Sequence, residues 1–84
     1  MNSRQSKTLA AIFADPVSAS IVWADIESLL KALGCTAKQG KGSAIQFERD
    51  GARVYFHSPH PRKEAKPYQV RDVRAFLKTL GVTP

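Results

Sequence analysis

His57 and His60 are the only two histidines of the chain, and they stand three residues apart. Histidine titrates near neutrality, so it can take and give protons under physiological conditions. Cations bracket the pair, with Arg49 and Arg53 before it and Arg62, Lys63 and Lys66 after it. Proton-transfer groups beside cations suit chemistry at a phosphate group, where positive charge stabilises the negative charge that develops. Tyr55 shares the same stretch, and Lys41 and Ser43 open it.

Those residues need an element that aims them. Lys41 to Pro61 reads as a β-hairpin followed by a histidine-bearing loop. Ile45 and Phe47 alternate with Ala44, Gln46 and Glu48, then Val54 and Phe56 alternate with Arg53, Tyr55 and His57. Asp50-Gly51 lies between the two runs, and this dipeptide readily supplies the positive φ angles of a two-residue hairpin turn. A loop of those two residues pairs Arg49 with Ala52, Phe47 with Val54, Ile45 with Phe56 and Ala44 with His57. One face of the ribbon is then apolar. The other carries Gln46, Arg53, Tyr55 and His57, and the chemistry or binding is expected there.

At 84 residues the chain is expected to form one domain with one modest core. Apolar residues make up 43% of it, which argues against disorder. Lys and Arg number 13 against 7 Asp and Glu, a formal net charge of +6. Such a charge suits nucleic acid, since neutralising phosphates releases counterions. It also fits plain solubility or an acidic protein partner. The one cysteine, Cys35, can form no internal disulfide, so a reducing cytoplasm is expected. It follows a helix end, has no local activating base, and reads as a small buried hydrophobe rather than a nucleophile. The first residues contain no long apolar run, so neither a signal peptide nor a membrane span is expected.

Ser3 to Ala14 is a helix candidate with Leu9, Ile12 and Phe13 on one side, ended by Asp15-Pro16. Its expected role is to cover part of the core. Trp23 to Leu33 is a stronger one, with Trp23, Ile26, Leu29, Leu30 and Leu33 in a stripe. Gly34 is placed to end it, and Trp23 is expected in the core. Cys35 to Gln39 is a short strand candidate. Gly40-Lys41-Gly42-Ser43 lacks the spacing of a P-loop or dinucleotide fingerprint, so no nucleotide cofactor is expected. Two histidines and one cysteine on separate elements match no common ligand spacing, so no metal is expected. Pro67-Tyr68 opens a last helix with Val70, Val73, Phe76, Leu77 and Leu80 on its apolar side. Arg71, Arg74 and Lys78 form a basic row elsewhere on it, either a solvated face or an RNA contact.

The order is a minor helix, residues 1–16 with their turn, followed by α-β-β-β-α over residues 22–82. Adjacent strands joined by tight turns imply a three-stranded antiparallel sheet, covered on one face by two helices in an α+β fold. That arrangement resembles the double-stranded-RNA-binding fold. A conventional duplex binder fits less well, because the basic residues of the last helix are spread along it rather than clustered at its start.

Three pieces in this order resemble a known family. A helix ends Leu30-Lys31-Ala32-Leu33-Gly34, Gly42-Ser43 opens a strand, and Pro59-His60-Pro61 precedes a closing helix that ends Leu80-Gly81-Val82. Together they look like the HicA toxins of type II toxin–antitoxin systems. The resemblance implies a metal-independent endoribonuclease, an mRNA interferase, that cleaves mRNA and is neutralised by a HicB antitoxin. Family members commonly carry a catalytic histidine directly after Gly-Ser, and here that position is Ala44. Alanine can neither take nor give a proton. The chain is then a divergent branch that uses another histidine, a binding module that has lost cleavage, or a variant inactivated at position 44. Cleavage would leave His57 or His60 as general acid and base. Lys41, Ser43, Arg49, Arg53, Tyr55, Arg62, Lys63 and Lys66 are the expected RNA contacts.

Overall fold

A computed structural model describes residues 1–84. The elements run α1 (Ser3–Ile12), α2 (Trp23–Ala32), β1 (Thr36–Gln39), β2 (Ala44–Arg49), β3 (Ala52–His57) and α3 (Pro67–Thr79). The three strands form one antiparallel sheet in the order β1-β2-β3. This is the expected α-β-β-β-α arrangement with an additional N-terminal helix.

The hairpin register follows from its turn. Asp50 and Gly51 both have positive φ, 53° and 84°, as a two-residue turn matching the strand twist requires. Ala44 therefore pairs with His57, Ile45 with Phe56, Phe47 with Val54 and Arg49 with Ala52. Ile45, Phe47 and Phe56 are buried, and the alternate residues Arg53, Tyr55 and His57 are exposed.

The core joins the hairpin's apolar face to all three helices. Ile26, Leu29 and Leu30 of α2 and Val70, Val73 and Leu77 of α3 are fully buried with Phe47. Trp23 packs edge-on against Phe56, with ring centroids 5.1 Å apart at 71°, and is only 5% exposed, so it is core. Its backbone N–H donates to the Lys63 carbonyl at 2.8 Å, and the Ala65 N–H donates to the Ile21 carbonyl at 2.8 Å. The segment between β3 and α3 thus caps the start of α2. Gly34 and Gly81 end α2 and α3 with φ of 87° and 74°. No helix is long and apolar enough to cross a membrane.

Three boundaries differ from the sequence reading. The second helix stops at Ala32 with Leu33 as its cap, and the first strand begins at Thr36 beside the buried Cys35. The first helix stops at Ile12, not Ala14. A longer helix would bond the Ile12 carbonyl to the backbone nitrogen of residue 16, which is a proline and has no N–H. Arg74 fills the gap: its Nε donates to the Ile12 carbonyl and its Nη2 to the Ala14 carbonyl, each at 2.9 Å. Its Nη1 reaches Asp15 at 3.2 Å. Arg74 is therefore a clamp between α3 and α1 rather than part of a free basic row.

Candidate functional site

The polar face of the sheet is laid out in cross-strand rows, because directly opposed residues of an antiparallel pair point the same way. Thr36, Glu48 and Arg53 form the row nearest the turn. Lys38, Gln46 and Tyr55 form the middle row. Ala44 and His57 form the last, with Gly40 beside Ala44 through a backbone hydrogen bond of 2.9 Å. A substituent on Gly40 would stand 3.1 Å from the Ala44 methyl, so the strand ends approach closely only because residue 40 has no side chain.

His57 ends β3 at a place where several segments meet. Its Nδ1 lies 3.4 Å from the Ser43 hydroxyl, a long hydrogen bond in which either atom can donate. Its Nε2 has no protein partner. The Ser58 N–H donates to the Ser43 carbonyl at 2.8 Å and extends the ladder past the imidazole. From below, the Gln69 amide donates to the His57 carbonyl at 2.8 Å, and its oxygen accepts the Lys66 N–H at 3.0 Å. Gln69 is 1% exposed, a buried polar side chain with both ends satisfied. It ties the histidine end of the ribbon to the start of α3.

The structure therefore brings Ser43, Ala44 and His57 together, with Lys66 one bridging side chain away. Lys41 is exposed in the turn before Ser43, where its carbonyl accepts the Ala44 N–H at 3.1 Å. His60, Arg62 and Lys63 are exposed on the loop that leaves β3, and the His60 ring makes no hydrogen bond. Tyr55 shares the face with His57 and is 67% exposed. Arg53 lies further along the same face, 3.9 Å from Glu48. Arg49 is not brought to this group. It stands at the turn end of the ribbon, on the face of Ile45 and Phe47, and pairs with Asp50 at 3.3 Å. No three His, Cys, Asp or Glu side chains converge as metal ligands would.

The sequence reading missed Gln69 and Lys38. Gln69 had one local signal: it occupies the third position of a helix opened by Lys66-Pro67, where Gln commonly bonds back to the cap residue's N–H. Lys38 was hidden by the shortness of its strand.

A family model described as "HicA toxin of bacterial toxin-antitoxin" matches residues 23–82. The chain belongs to this family. No curated protein and no solved structure matches it. As a HicA-family chain it is the toxin of a toxin–antitoxin system, and a cognate antitoxin is the partner the family implies. The match begins at Trp23. The α1 helix of this HicA-family chain thus lies outside the family pattern, while every residue around His57 lies within it.

Proposed function

We propose that this toxin is an endoribonuclease that cleaves mRNA and is held inactive by a HicB-type antitoxin. The observation that carries the reading is the pairing of Ala44 with His57 on the open face. The imidazole of His57 thereby shares the space into which a side chain at position 44 projects. With Nδ1 beside Ser43, Nε2 can take the 2′-hydroxyl proton of a bound nucleotide, and the attacking oxygen then displaces the next nucleoside's oxygen at phosphorus. His60, on the adjoining loop, is the second proton-transfer candidate and returns a proton to the leaving oxygen. Lys41, Arg62, Lys63 and Lys66 surround the ribbon end and stabilise the phosphorane's charge. Arg53 and Tyr55 extend the RNA track along the face, and Arg49 can meet RNA only beyond the turn.

Purified protein incubated with mRNA in EDTA tests this reading. The wild type is expected to cleave, and His57→Ala to lose about 100-fold or more of the rate, the usual scale of a general acid–base group. Cleavage that persists unchanged in both His57→Ala and His60→Ala overturns the assignment.

Ala44 itself favours a second reading, a non-catalytic module that binds RNA or the antitoxin on the same fold. A wild type that binds RNA without cleaving it, with cleavage gained in Ala44→His, supports that reading instead.

A further inference from the structure

The middle row of the open face has no part in proton transfer, yet it borders a cleft beside His57. That cleft has a volume of about 320 Å³ and is lined by Lys38, Gly40, Ala44, Gln46, Tyr55 and His57, among others. It exists because two of its walls are truncated: residue 40 has no side chain and residue 44 has only a methyl. The remaining walls combine three different chemistries. Tyr55 offers a phenol ring, and it is the one large aromatic exposed on the sheet. Gln46, directly opposite it, offers an amide that both donates and accepts. Lys38, opposite Gln46, offers an ammonium group.

A π surface, a hydrogen-bonding edge reader and a cation together match one nucleotide. Bases stack on exposed aromatic rings, their edges pair with amides, and their phosphates attract lysine. An apolar peptide side chain would use the ring but leave the amide and the ammonium unmatched.

We infer that this cleft is a nucleobase subsite for single-stranded RNA. It takes one unstacked base next to the phosphate presented to His57. The base lies against Tyr55, its edge meets Gln46, and the flanking phosphate meets Lys38. This rests on the RNA reading above and adds a selectivity to it. A base inside a duplex is stacked on both sides and cannot lie on Tyr55 without being extruded. The site therefore prefers single strands, loops and ends to duplex RNA.

The test is fluorescence anisotropy with a labelled 2′-O-methyl RNA oligonucleotide, which binds but cannot be cleaved, used as a single strand and annealed to its complement. The wild type is expected to bind the single strand more tightly. Tyr55→Ala should weaken single-strand binding by roughly 5- to 150-fold, the range measured for one lost base stack, and leave duplex binding unchanged. Tyr55→Phe keeps the ring and should stay within about 3-fold of wild type. Tyr55 is exposed, so neither variant endangers the core. Equal weakening of single strand and duplex, or no weakening by Tyr55→Ala, overturns the subsite and leaves the RNA reading standing. Failure of the wild type to bind either form removes both. Tyr55→Ala that leaves the single strand unaffected but weakens binding of the antitoxin assigns the cleft to a protein partner and overturns the subsite.

Discussion

Gln69 does at residue scale what no surface cation can do: it ties the backbone of His57 to the start of α3. Its amide spans the His57 carbonyl and the Lys66 N–H, and it is buried. Gln69→Leu keeps the volume but leaves both backbone groups without partners. A buried unpaired group costs about 1–3 kcal/mol. Urea unfolding should show an unfolding free energy lowered by that amount, read as an earlier midpoint at an unchanged slope, and the proposed cleavage should fall further than stability alone explains. A midpoint equal to wild type would mean that His57 is held by other contacts. Cys35 behaves oppositely, as a group with no chemical task. Burial pushes its thiol pKa above the ordinary 9.0, against a lowering by Arg49 and with a smaller push from Asp50. The folded state thus retains a proton that the unfolded state releases first. Stability is then undiminished below pH 9.0 and is lost as pH rises from there through the folded value. Cys35→Ala should show a shallower loss across that window, measured as unfolding midpoints at successive pH. Iodoacetamide should label the folded wild type slowly at neutral pH and rapidly in urea.

At element scale the hairpin decides the site, and its turn decides the hairpin. Gly51 has φ of 84° with open space around it, so a methyl there meets no atom within 4 Å. Gly51→Ala therefore isolates the conformational cost of a left-handed residue, about 1–2 kcal/mol. Thermal unfolding should register that loss, and larger losses would indicate a change of register rather than of turn energy. The register was legible before the structure because Asp50-Gly51 admits few turns and a shift of one residue would place Phe47 in solvent. The end of the first helix was less legible. Asp15-Pro16 marked a stop, but the donor that satisfies the last carbonyls is Arg74, about 60 residues away. Nothing local distinguishes such an arginine from a solvated one in a basic row. Gln69 showed only its capping position, and Lys38 lay in a strand too short to read. Their importance comes from strands and helices that meet only after folding.

At the scale of the whole molecule, the stability of the fold and the chemistry of its face are separable. The α1 helix lies outside the family pattern, yet Leu9 and Ile12 are part of the single core, at 5% and 0% exposure. Arg4 pairs with Asp25 at 2.9 Å, Gln5 bonds Ser28 at 3.0 Å, and Arg74 seals the helix end. The Arg4 pair is largely exposed and contributes little. Burial and the Arg74 clamp hold the helix. A domain of 84 residues has a total stability of about 4–13 kcal/mol. Ile12→Ala removes buried methyl groups and should cost about 2–5 kcal/mol, a large share of that total. Arg74→Ala should cost about 1.5–3 kcal/mol for a charged hydrogen bond to backbone, and Arg74→Lys should recover only part, since an ammonium cannot serve three acceptors fixed by a planar fork. Neither residue touches the open face. Both variants, assayed well below their unfolding temperatures, should bind the single-stranded oligonucleotide as the wild type does. A variant that stays folded yet loses RNA affinity would show that α1 shapes the face through the core, and the separation of stability from chemistry would fail.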